Sequence, residues 1–261
     1  MAQALRMESG KSGGSSAAGI SESEQRARVD LAAAYRIAAY YGWGNLIYNH
    51  IALRVPQEPS SFMVKPHNVM FSEVRASQLV KLRLDGAPVN EADNINAAAF
   101  TIHTAVLKAR PDINCTVHVH PNHAIAMCAH QRGILPLNQG AMRFYKRLSW
   151  HDYEGIADSL DEAARLARDI GPTNKAVLLR NHGPLTAGGS ASEAITLMRY
   201  LVQASEIQLM LEASGTELQM PPPEVCERTA RQWDHFQKIN EEEDWRAYLR
   251  LIDAIDTSYR N

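Results

Sequence analysis

Residues 94–120, "NINAAAFTIHTAVLKARPDINCTVHVH", change their period partway along. Over 94–111 the apolar residues fall at helical spacing, and over 113–120 β-branched residues alternate with others as in a half-buried strand. A helix followed at once by a strand is therefore expected here. Period two places His118 and His120 on one face of that strand, and His123 follows three residues later, so three of the chain's 10 histidines lie within six positions.

Working outward, the Ser-, Gly- and Ala-rich residues 1–22 read as a flexible N-terminal arm, and 23–261 as a single domain with a C-terminal helical tail. A first helix is expected from a cap at Ser21 or Ser23 to Gly42. Short β-like runs at 50–55, 62–65 and 79–86 follow, separated by turn residues, and read as an antiparallel meander. Beyond the histidines, 121–131 reads as helix, "ILPLNQG" (134–140) as an edge strand running into a loop, and 159–171 as an amphipathic helix ending at Gly171. Strands fit 175–183 and 184–189. Residues 190–215 carry a Ser cap, a long apolar stripe and a terminal Gly, and 227–255, after "MPPPE", form a last helix with Trp233 and Trp245. No internal repeat occurs.

Composition narrows the partners. With 261 residues, 45% hydrophobic and 21% charged, the chain has the balance of a globular protein. A net charge of −2 and no block of like charges offer neither the basic field nucleic acid needs nor a polybasic membrane patch. A small-molecule partner is expected, with no nucleic acid and no membrane. Cys115, Cys128 and Cys226 are too few for a disulfide framework or a Cys-rich zinc site, and Cys115 and Cys128 read as small core residues. No run nears the roughly 20 apolar residues of a membrane span, and the N-terminus has no apolar signal core, so a cytoplasmic location is expected.

Two imidazoles at i and i+2 on a strand can reach one ion, and a third ligand must come from elsewhere. The candidate is His182 in "LLRNHGPLTAGG", at the end of an apolar strand beside a Gly that allows a sharp turn. Three histidine ligands with open positions describe a catalytic metal site. Taken alone, H-x-H also fits ordinary half-buried histidines bonded to carbonyls.

The stretches "FTIHTAVLKARPDINCTVHVHPNHAIAM", "GILPLNQGA" and "VLLRNHGPLTAGGSASEAI", in this order, resemble the class II aldolase/adducin family over roughly residues 25–215. The resemblance implies a three-layer α/β/α domain with a mostly antiparallel central sheet. In the enzymes it also implies a homotetramer with active sites at subunit interfaces. It assigns one divalent ion, Zn2+ or Fe2+ with Mn2+ and Co2+ as further candidates, to His118, His120 and His182.

Departures from the family pattern restrict the substrate. Its aldolases carry a proton-handling glutamate four residues before the helix histidine, and counting back from His103 gives Ala99. The serines that hold substrate phosphate correspond to Ala97 and Ala98, the Thr-Gly phosphate loop to His67 and Asn68, and the phosphate-binding Asn of the first strand to His50. A phosphorylated sugar is therefore not expected. His123 and Tyr145 are candidate catalytic groups, and His67, Asn68, Gln139 and Arg143 are candidate substrate contacts. His103 reads as a satisfied core histidine.

Three functions fit these residues. The first is metal-dependent cleavage of a carbon–carbon bond, by retro-aldol reaction or decarboxylation, in a small non-phosphorylated hydroxy- or oxo-acid. The second is a non-haem Fe(II) oxygenase with a three-histidine site acting on a 2-oxo or 2-hydroxy acid. The third is a non-catalytic, adducin-like binding module.

Overall fold

The computed structural model describes residues 20–85, 95–155 and 160–261. The expected arm lies almost wholly outside the described residues, as do the expected element ends at Gly86, Asn94 and Ser159. Helix α1 (Glu22–Tyr40) starts on Ser21, whose hydroxyl accepts the Glu24 amide at 3.1 Å, and Gly42 follows it at φ +71°. Strands β1 (His50–Val55), β2 (Glu58–Val64) and β3 (Val80–Arg83) form the expected antiparallel meander. Helix α2 (Ala97–Ala109) leads into β4 (Cys115–His118), which pairs antiparallel with β1. Strand β4 is shorter than the alternation predicts: His120 lies two residues past its end. After it come α3 (Asn122–Ala129), β5 (Leu148–His151), α4 (Leu160–Ile170), β6 (Ala176–Leu179), β7 (Gly183–Gly188), α5 (Ala191–Ala213) and α6 (Pro223–Asp253). Helix α6 begins four residues before the expected start, because the proline run supplies a first-turn residue with preset φ and no lost donor.

The seven strands lie in the order β3-β2-β1-β4-β7-β6-β5, and every neighbouring pair is antiparallel except β5 with β6. One sheet face packs on α2 and α4 through Ile102, Val106, Leu166 and Ile170. The other packs on α1 and α5 through Leu31, Ile37, Ile195 and Met198, with α6 joining through Ile252. The architecture is thus α/β, a largely antiparallel sheet between helical layers.

The edge strand expected at 134–140 is not one. Among the described residues the seventh strand is β5, parallel to β6, and 134–140 runs as a loop along α5. The Gln208 side chain of α5 takes the place of a ladder there: its Oε1 accepts the Leu135 amide at 2.8 Å and its Nε2 donates to the Gly133 carbonyl at 2.9 Å. Pro136 has no amide to pair, which suits a loop braced by a side chain.

Register brings several histidines to one edge of the sheet. His50 of β1 pairs with His118 of β4, Leu179 of β6 pairs with Gly183 of β7, and His151 of β5 pairs with Leu179. The Tyr35 hydroxyl clamps this edge from α1: it donates to the Ile51 carbonyl at 2.5 Å and accepts the amides of Ile51 at 2.9 Å and Lys65 at 3.2 Å. Fully buried, it ties the start of β1 to the end of β2.

Candidate metal centre

The side chains of Val117 and Val119 enter the α1/α5 core, so Thr116, His118 and His120 turn to the α2 side. His182 arrives from the β6–β7 turn. There Asn181 adopts φ +55°, a left-handed conformation that asparagine tolerates, and Gly183 leaves room for an imidazole. A β-carbon on Gly183 would lie 2.6 Å from Cδ2 of His120. The "NHG" sequence therefore has a local cause at each position.

Three ring nitrogens converge. His118 Nε2 lies 3.0 Å from His120 Nε2 and 3.2 Å from His182 Nε2, and one ligand atom from each of the three lies within 4.8 Å of the others. The ligands of a tetrahedral ion at about 2.0–2.1 Å are roughly 3.3–3.4 Å apart, so the spacing fits a divalent cation. Tautomer supports the fit: Nδ1 of His118 donates to the Pro184 carbonyl at 3.0 Å, which leaves a lone pair on its Nε2. Neutral rings this close can turn their Nε2 lone pairs on one shared positive charge.

The rings are held neutral. Burial, then the neighbouring His182, His120 and His50, pushes the basicity of His118 well below that of an ordinary histidine. Burial lowers that of His120, and burial followed by His120 and His151 takes His182 down to about 4. Neutral imidazole is the form that ligates.

Behind His118 stands a buried chain that the sequence alone does not reveal. His50 Nδ1 lies 2.8 Å from His103 Nε2, and His103 Nδ1 lies 2.7 Å from Thr116 Oγ1. The rings of His50 and His118 are 5.1 Å apart, so the chain packs directly on the triad. His103 is the satisfied core histidine expected, and burial lowers its pKa to about 3. The available signal was register: once β1 is paired with β4, His50 must face His118. Ala99 is buried one turn before His103 on α2.

The remaining candidates divide into two groups. His67 and Asn68 follow β2 at the triad's edge of the sheet, with the His67 ring 6.0 Å from that of Tyr48 and its Nδ1 buried without a hydrogen bond. His123 is exposed on the first turn of α3, close in sequence to His120. Gln139, Arg143 and Tyr145 do not join the triad within one chain. They precede β5, whose start pairs with Ala176, whereas the triad lies at the Leu179 end. The Gln139 carbonyl accepts Trp233 Nε1 at 2.8 Å. The Arg143 guanidinium lies between the rings of Tyr200 and Trp233, at 4.7 and 4.5 Å, and donates to Gln237. Tyr145 has Lys146 Nζ 5.5 Å from its ring.

A three-histidine centre at the edge of a mostly antiparallel α/β sheet defines a class of metal-site proteins. Residues 29–209 match the family described as Class II Aldolase and Adducin N-terminal domain, and the chain belongs to that family. Among its relatives is a Caulobacter vibrioides protein whose name assigns it only to aldolase class 2. It is 40% identical over 213 residues, or 81% of this chain and 82% of that one. Rat alpha-adducin is 39% identical over 205 residues, which cover 77% of this chain and 28% of the adducin. The crystal structure of an aldolase II superfamily protein from Pseudomonas syringae superposes with a TM-score of 0.85 at 37% identity, covering 93% of this chain and 98% of that one. Enzymes of class II aldolase type typically use a divalent metal, so a metal-dependent lyase and an adducin-like module are both at home in the family.

Proposed function

We propose that this chain is a divalent-metal-dependent lyase that breaks a carbon–carbon bond, by retro-aldol reaction or decarboxylation, in a small non-phosphorylated hydroxy- or oxo-acid. The convergence of three neutral imidazole Nε2 atoms carries the reading. His118, His120 and His182 would hold the ion, Zn2+ or Fe2+, with Mn2+ and Co2+ within the same ligand chemistry. When bound, such an ion supplies Lewis-acid polarisation of a substrate oxygen. The Pro184 carbonyl fixes the tautomer of His118, and the His50–His103–Thr116 chain immobilises the floor on which that ring rests. His67 and Asn68 would meet substrate at the mouth, with His123 as a further catalytic group.

Substrate class follows from what the chain lacks. Ala97, Ala98 and Ala99 carry neither the hydroxyls that would hold phosphate nor the carboxylate that would move a proton. Fuculose- and ribulose-type phosphates should not be turned over.

A homotetramer would bring Gln139, Arg143 and Tyr145 into the account, as groups offered across a subunit contact. The exposed Phe236 and Ile239 on α6 favour such a contact. The domain would span 23–261. No helix among the described residues is long and apolar enough to cross a membrane, and we assign the protein to the cytoplasm.

Two observations favour other readings. The ligand group has no carboxylate, which suits a three-histidine Fe(II) oxygenase. The similarity to alpha-adducin suits a binding module. Anaerobic metal analysis coupled to oxygen uptake over a panel of 2-oxo and 2-hydroxy acids separates all three. Metal with cleavage and no oxygen uptake supports the lyase, metal with oxygen uptake replaces it by the oxygenase, and no stoichiometric metal leaves the binding module.

A further inference from the structure

Lys65 directly follows β2, one residue short of the pair His67 and Asn68, and nothing described so far uses its charge. It is 4% exposed. Its Nζ donates to the carbonyls of Ile47 at 2.8 Å, Pro66 at 3.3 Å and His67 at 3.4 Å, so all three of its N–H groups are taken up by the backbone of two loops. The Phe71 ring closes another side, its centroid 6.0 Å from Nζ. Among the described residues no carboxylate forms an ion pair with this ammonium, and burial pulls its pKa down to about 8, so it still carries its charge near pH 7. A buried cation ringed by dipoles but lacking a counter-charge is costly, and an anion brought near it offsets part of that cost.

The same bonds aim two amides. Across a trans peptide the N–H points opposite to the C=O, so with the Pro66 and His67 carbonyls turned onto Nζ, the amides of His67 and Asn68 turn away from it. Among the described residues neither amide meets an acceptor. Two consecutive unpaired amides backed by a buried positive charge favour an anion in front of them. The charge is felt in that loop: burial, and after it Lys65, lowers the basicity of His67.

We propose that Lys65 makes the site select an acid, because its ammonium turns out the amides of His67 and Asn68 and backs them with the positive charge that a substrate carboxylate meets. This rests on the reading above of His67 and Asn68 as substrate contacts. With its three donors occupied, Lys65 does not touch the substrate, so it is a positioning residue. A carboxylate held at this loop leaves the hydroxyl or carbonyl oxygen of the same acid for the ion.

The test separates charge from scaffold. Calorimetry on the metal-containing protein at about pH 7 compares 2-hydroxybutyrate with 2-hydroxybutyramide, which has nearly the same shape and no charge. Lys65→Met, and Lys65→Gln, which keeps hydrogen-bond donors but not the charge, should each weaken the acid about tenfold and leave the amide within about twofold, with metal content unchanged. Equal weakening of acid and amide, as a purely structural clamp would give, would overturn the proposal. So would an acid affinity that neither substitution changes, a wild type that binds neither ligand, or loss of metal from both variants. Failure of wild type to cleave any acid would count against the lyase reading, while this comparison of binding would stand or fall separately.

Discussion

At Gly183 the third histidine of the triad meets the second. A β-carbon there would crowd the His120 ring at 2.6 Å and the Val119 carbonyl at 3.2 Å, and Val119 is held by the strand layer beneath. Gly183→Ala should therefore displace the His120 ring and weaken metal binding about 10- to 100-fold, the range seen when ligand orientation is disturbed, with little change in unfolding midpoint of the metal-free protein. Competition with a chromophoric chelator measures it. His103 gives a pH prediction. The folded protein holds it neutral down to about 3, whereas an unfolded histidine titrates near 6.5, so between these values the unfolded chain binds more protons. Its contribution to stability is complete above 6.5 and is lost as pH falls toward 3, at up to about 1.4 kcal/mol per unit. Urea midpoints of chelator-treated protein should fall between about pH 7 and about pH 5, and fall less steeply in His103→Gln. Equal slopes would remove His103 from the account.

Among the elements, those with a clear period were legible and those set by partners were not. Helix α2, strand β4 and helix α5 announce themselves by spacing and caps, and H-x-H holds although His120 lies beyond the strand, because the chain stays extended through Val119 into the core. The segment 134–140 has strand-like apolar content, yet Gln208 reaches it from 70 or so residues further on, a contact no local pattern encodes. Strand β5, "LSWH", is short and mixed in character, and only its pairing with β6 makes it a strand. His151 was missed with it. The surroundings of Arg143, a candidate substrate contact in the sequence, are likewise set by distant partners. Its enclosure by Tyr200, Trp233 and Gln237 gives it work within the chain, pinning α6 to α5. Arg143→Ala should lower stability by roughly 1–3 kcal/mol through lost stacking and an unpaired Gln237, with metal content unchanged, as read from denaturation midpoints and metal analysis.

On the scale of the whole molecule, one edge of a seven-stranded sheet gathers histidines from four places in the sequence: β1, the end of β4, the β6–β7 turn and the end of β5. That assembly is what the fold contributes, and it explains why the triad was readable from motifs while its neighbours were not. The apolar residues left exposed on α6, Phe236 and Ile239, should be covered by another copy of the chain. Light scattering at micromolar concentration should give a mass near four chains, and a monomer would contradict this. The central claim is that His118, His120 and His182 hold a divalent ion, and its most direct measurement is metal per chain in protein purified without chelator, compared with His118→Ala. The account predicts one Zn2+ or Fe2+ per wild-type chain and nearly none in the variant, whereas a wild type without stoichiometric metal, or a variant that keeps its full complement, would contradict it.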